Sequence, residues 1–97
     1  MTSPSFVWDE NKQKENIRKH GVAFDEAATV FRDDNGLVIF DPEHSAQEDR
    51  FILLGLSVAL RTLVGCHCYR ENDHTIRIIS ARKAMKRERM QYEEQLP

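Results

Sequence analysis

Apolar and polar positions alternate along this chain with periods that change from segment to segment. Phe6-Val7-Trp8 is a short apolar run that reads as a strand. Asp9 then offers a side-chain oxygen to start a helix, and Gly21 offers the left-handed residue to end it. Between them Ile17 is the only aliphatic residue, so the helix expected over residues 10–20 has no stripe to bury and should be pinned at its ends. A second helix follows, with Phe24, Ala27, Ala28 and Phe31 at i, i+3, i+4 and i+7. Asp33-Asp34-Asn35-Gly36 is turn chemistry.

From Leu37 the pattern is that of strands. Leu37-Val38-Ile39-Phe40 reads as one, ended by Asp41-Pro42, and residues 43–49 are polar enough for a loop. Residues 51–56, 62–69 and 75–80 read as three more, with hairpin-length connections at 57–61 and 71–74. Residues 81–95 hold good helix formers and no Gly or Pro, which predicts a terminal helix. This order predicts an α+β fold: a small antiparallel-rich sheet with two N-terminal helices and one C-terminal helix. Phe24, Ala27, Phe31, Val38, Phe40, Ile76 and Ile78 are the expected core.

The length of 97 residues implies a single domain over residues 1–97. With 40% hydrophobic and 31% charged residues, disordered and low-complexity classes are excluded. The longest apolar stretch, residues 51–60, is broken by Gly55 and Ser57 and falls short of the ~18 residues a membrane span needs. Met1-Thr2-Ser3-Pro4-Ser5 lacks the plan of a secretory signal, so a cytoplasmic protein with no membrane partner is expected. The net charge of -2 hides polarity: residues 21–60 carry eight acids against two bases, and residues 76–97 six bases against three acids. Such a basic end can hold a polyanion, or it can be an ordinary solvated helix. Cys66 and Cys68 flank His67 at a spacing that strains a disulfide and supplies too few ligands for zinc, so both are expected as buried thiols.

On strand 75–80 the period of two sets Arg77 apart from Ile76 and Ile78. On the terminal helix Met85, Glu88, Arg89, Tyr92 and Leu96 share one broad face, and Arg82, Lys86 and Arg89 form a basic edge beside it. Guanidinium groups beside a carboxylate and a phenol suit a phosphodiester, because arginine forks stabilise the charge that builds up on phosphorus. The candidate catalytic residues are therefore Arg77, Arg82, Lys83, Glu88 and Tyr92, with Arg70, Lys86 and Arg89 as candidate residues for binding the rest of such a polyanion. Ordinary surface pairs such as Arg89–Glu93 explain the same spacing. His67 is read as a packing residue, while His20 suits a helix C-terminus and His44 and His74 fall in loops. No ligand cluster, phosphate loop or nucleophile motif is present, so no metal and no cofactor are implied.

Three stretches resemble a known family. Phe6-Val7-Trp8-Asp9-Glu10-Asn11-Lys12 with Lys19-His20-Gly21-Val22-Ala23-Phe24-Asp25-Glu26-Ala27 is similar to the opening of the BrnT toxins of type II toxin–antitoxin systems. Asp41-Pro42-Glu43-His44-Ser45 with Glu48-Asp49-Arg50 resembles their central signature. Arg77-Ile78-Ile79-Ser80-Ala81-Arg82-Lys83-Ala84 with Glu88-Arg89 and Tyr92-Glu93 resembles their closing one. The resemblance implies a RelE-like ribonuclease fold and metal-independent endoribonuclease cleavage of RNA, with the ribose 2′-hydroxyl as nucleophile, to inhibit translation and growth. It also implies a BrnA-type antitoxin that neutralises the toxin and supplies the contact with operator DNA. A non-catalytic antitoxin-binding or co-repressor module is the alternative. Gly65-Cys66-His67-Cys68 departs from the apolar strand usual in the family.

Overall fold

The computed structural model describes residues 4–70 and 74–97; the turn expected at Glu71-Asn72-Asp73 lies outside them. The elements are β1 (Ser5–Val7), α1 (Glu10–His20), α2 (Phe24–Thr29), a 3₁₀ turn (Val30–Arg32), β2 (Leu37–Asp41), a second 3₁₀ turn (Pro42–His44), β3 (Arg50–Leu56), β4 (Thr62–Tyr69), β5 (Thr75–Lys83) and α3 (Lys86–Glu94). They form one five-stranded sheet in the order β1-β5-β4-β3-β2. β1 runs parallel to β5 and the other pairs are antiparallel, so the expected α+β architecture holds.

The caps of α1 are as expected. The Asp9 carboxylate accepts from the Asn11 and Lys12 N–H groups, and Gly21 closes the helix at φ 68°. The helix is nevertheless held by its middle rather than its ends. Asn16 is 6% exposed; its Nδ2 donates to the carbonyls of Val22 and Ala81, each at 2.8 Å, and its Oδ1 accepts the Ala81 N–H at 3.1 Å. β1 covers the outer edge of β5 only as far as Arg77. Further along, the Asn16 amide bonds Ala81 as a neighbouring strand would. Gln13 adds a contact to the next element, its Oε1 accepting the Phe24 N–H at 2.9 Å. A helix with almost no apolar stripe is thus docked by amide side chains.

Phe24, Ala27 and Val30 pack with Val22 onto Leu53, Leu63, Ile78 and Ala81 of the sheet, with Phe31 half-buried beside them. Gly55 lies beneath the first 3₁₀ turn, where a Cβ would meet Val30 Cγ1 at 2.7 Å and an Asp33 oxygen at 3.1 Å. Two expected core residues are corrected: Val38 is 54% and Phe40 47% exposed. Both lie on β2, the edge strand, and the helical layer lies over the middle of the sheet instead.

The terminal helix is also corrected. β5 runs on through Lys83, with Arg82 opposite Val64 and Lys83 opposite Leu63, so both cations lie on a strand. Ladder bonds and Asn16 hold this segment extended against its helical propensity. α3 begins only where the Glu88 carboxylate accepts the Met85 N–H at 2.8 Å. Of the face expected to pack, Met85 and Leu96 are exposed and Tyr92 is buried.

His67 bears out the packing expectation. It is 1% exposed, with Phe31 and Tyr69 edge-on at 4.8 and 5.4 Å and Phe51 stacked at 6.0 Å. Burial disfavours the imidazolium and pulls the ring from its ordinary 6.5 down to about 4. The unfolded chain therefore binds more protons than the folded one between those values. This contribution to stability is complete above pH 6.5 and lost as pH falls toward 4. From pH 7 to pH 5 the loss should be about 2 kcal/mol. Denaturant melts at the two pH values measure it, and His67→Leu should remove that part of the slope; an unaltered slope would show that His67 is not its source.

Candidate functional site

Strand β5 carries the feature that builds the site. His67 pairs with Ile78 but Cys66 pairs with Ser80, leaving Ile79 as an extra residue in the ladder. Simple alternation would put Arg77 and Arg82 on opposite faces of the sheet. The bulge reverses the alternation, so Ala81 turns into the core at 1% exposed and Arg82 joins Arg77 and Ser80 on the face away from the helices.

That open face forms a groove of about 440 Å³, floored by Ile52, Val64 and Cys66 and bordered by Arg50, Ser80, Arg82, Asp41, His44 and His20. Arg82 is tied to α3 by two parallel bonds, to Glu88 Oε1 at 2.8 Å and Oε2 at 2.9 Å. The hydrogen bonds from Arg82 hold the Glu88 carboxyl below its ordinary range, and Glu88 in turn raises the Arg82 guanidinium. A third donor reaches the Lys83 carbonyl at 3.3 Å, which leaves two of the five guanidinium N–H groups without a partner among these bonds. On the other flank Glu48 Oε1 lies 2.8 Å from Arg77 and 3.7 Å from Arg50, one carboxylate between two guanidiniums.

The segment at the end of β2 closes the groove. Pro42 starts a single 3₁₀ turn that folds the chain back after β2, so that His44 at its end reaches Asp41 at the end of the strand. Their Nδ1 and Oδ2 atoms are 2.8 Å apart. The Ser45 hydroxyl donates to the Asp41 carbonyl and accepts the Arg50 N–H at 3.0 Å, which locks the turn onto β3. Contrary to the absence of a ligand cluster in the sequence, Asp41, Glu43 and His44 bring ligand atoms within 4.8 Å of one another. Glu43 and His44 are exposed and Asp41 is already engaged with His44, so this is a hydrogen-bonded pair with a neighbour rather than a coordination shell.

Of the candidate residues, Arg82 alone lines the groove; Glu88 reaches it through Arg82, and Arg77 stands beyond it on the same face. Tyr92 is drawn off elsewhere. It is 4% exposed and its hydroxyl donates to Asp33, and burial together with that carboxylate pushes the phenol up to about 12. Arg70, Lys83, Lys86 and Arg89 are exposed. Arg50 and the Asp41–His44 pair are absent from the candidate set. Their only signal was the central signature, since a histidine three residues after an aspartate looks like any loop until the turn is known. Cys68 is a buried free thiol as expected, whereas Cys66, on the groove floor, is only half-buried; burial raises both thiols and keeps them protonated.

Among the described residues no helix is long and apolar enough to cross a membrane. No curated protein matches the chain. Among solved structures the ribonuclease toxin BrnT of Brucella abortus, known at 1.1 Å, is similar in fold, with a TM-score of 0.65 and 22% identity over 87% of this chain and 100% of that one. The family model of the ribonuclease toxin BrnT of type II toxin-antitoxin systems matches residues 8–88, a span that contains every residue of the groove. The chain therefore belongs to the BrnT family of ribonuclease toxins.

Proposed function

We propose that this toxin binds and cleaves RNA on the open sheet face without a metal ion, the ribose 2′-hydroxyl attacking the adjacent phosphodiester. The observation that carries this is the placement of Arg82 and Arg50 around one groove, with Arg77 on the same face. Arginine forks supply there the charge stabilisation that Mg²⁺ supplies in other nucleases. Arg82, oriented by Glu88, serves the phosphate in the transition state, with Arg50 across the groove and Arg77 further along the same face adding positive charge. Tyr92 acts through the fold by anchoring α3 to Asp33. Lys83, Arg70, Lys86 and Arg89 are exposed cations available to the flanking RNA backbone. The antitoxin that the family pairs with its toxins is of the BrnA type, neutralises the chain in the cytoplasm, and alone carries the complex to operator DNA.

The test is incubation of purified protein with RNA, naked and ribosome-bound, in excess EDTA. Cleavage should persist, leave 2′,3′-cyclic phosphate ends, and disappear when the scissile ribose is 2′-deoxy. Cleavage abolished by EDTA and restored by a divalent ion would overturn the metal-free mechanism.

A further inference from the structure

A 2′-hydroxyl attack needs a group to accept the hydroxyl proton, and the carboxylates of Glu88 and Glu48 and the phenol of Tyr92 are already engaged. Both oxygens of Glu88 bond Arg82, and one of them also accepts the Met85 N–H. The Tyr92 hydroxyl donates to Asp33. Glu48 bridges Arg77 and Arg50.

We propose that His44, oriented by Asp41, is the proton acceptor of the cleavage site; this rests on the open face being where RNA is cut. An ionised carboxylate only accepts hydrogen bonds, so at 2.8 Å the Nδ1 of a neutral His44 carries the hydrogen and Nε2 keeps its lone pair. The Asp41 side chain is 12% exposed and that of His44 is 62% exposed, so the orienting group is covered and the reacting one open to substrate. The backbone of Asp41 is held by its pairing with Arg50 across β2 and β3 and by the Ser45 hydroxyl on its carbonyl. His44 borders the same groove as Arg50 and Arg82, so a phosphodiester held by the guanidiniums lies beside the imidazole.

The step then balances. Nε2 takes the 2′-hydroxyl proton as the 2′-oxygen bonds to phosphorus. The phosphorus–5′-oxygen bond breaks, and the 5′-oxygen leaves with the bonding pair. It takes a proton from water, and the imidazolium returns its own proton to the hydroxide so formed. The products are a 2′,3′-cyclic phosphate and a 5′-hydroxyl, and nothing is consumed.

The experiment compares wild type, His44→Ala, His44→Gln and Asp41→Asn on the RNA that the wild type cleaves, in excess EDTA, with RNA affinity and circular dichroism measured for each. Both His44 variants should lose roughly 10²–10⁴ in kcat, the range typical of a lost general base. They should bind RNA within about twofold of wild type, because the loss falls on the transition state alone. Free imidazole should restore part of the His44→Ala rate. Asp41→Asn, which favours the wrong tautomer, should lower kcat and not raise KM. If the wild type cleaves and His44→Ala, folded, cleaves as fast, this proposal fails while the RNA site stands. If the wild type cleaves no RNA, naked or ribosome-bound, the site assignment itself fails and takes this proposal with it. Activity lost to EDTA and restored to His44→Ala by a divalent ion would replace the base with a metal and overturn the proposal.

Discussion

Asn16→Ala is expected to destabilise the fold by roughly 3–5 kcal/mol, since each of three buried backbone groups left without a partner costs about 1–3 kcal/mol. Those groups are the carbonyl of Val22 and the N–H and carbonyl of Ala81. Ala81 is 1% exposed and Val22 fully buried, so water does not readily replace the amide. The helix has little else to offer, because Asn16 is its only buried residue. For a domain of this size the loss is a large part of the total stability, and a two-state denaturant melt reads it directly. Asn16→Asp is the sharper variant: it keeps the acceptor for the Ala81 N–H but sets an oxygen against two carbonyls, so it should be at least as damaging as alanine. A melting midpoint unchanged in both variants would mean that α1 is held by other contacts.

Asn16 marks the limit of what the sequence discloses. The caps at Asp9 and Gly21 are local chemistry and could be read directly, as could the succession of strands and helices along the chain, the amphipathic stripe Phe24–Ala27 and the buried pair Ile76 and Ile78. How a polar helix is docked could not, because a mid-helix asparagine bonds a strand 65 positions away. The same holds for β2, whose apolar run reads as core until the strand order puts it at an edge. At residues 81–83 local preference pointed to helix, and pairing with β4 decided otherwise.

The candidate site was half legible for a related reason. Arginines on β5 were visible as residue types in a period, and their common face was not, since the face depends on one bulged residue. The Asp41–His44 pair depends in the same way on one 3₁₀ turn.

Arg82→Ala is expected to lower RNA cleavage by roughly 10²–10³, the usual cost of removing one group that stabilises charge developing in a transition state. The reason lies in placement: the bulge at Ile79 turns Arg82 into the groove, and Glu88 fixes its fork there. The pair itself should matter little to stability. The two side chains are 37% and 24% exposed, and partly exposed ion pairs of this kind are worth at most about 1 kcal/mol. A large loss of activity with a nearly unchanged melt is therefore the signature of a catalytic group rather than a structural one. Arg82→Lys should recover only part of the rate, because an ammonium replaces the fork by a point charge. Arg87, exposed on α3 and outside the groove, is the control: Arg87→Ala removes the same charge and should cleave like wild type. Growth on induction gives the same comparison in cells, with a pull-down of the antitoxin confirming that each variant is folded. Equal damage from Arg87→Ala would reduce the effect to net charge. Full toxicity of Arg82→Ala would move the phosphate to the Arg50–Glu48–Arg77 flank of the same face, where Arg50→Ala and Arg77→Ala would then carry the loss.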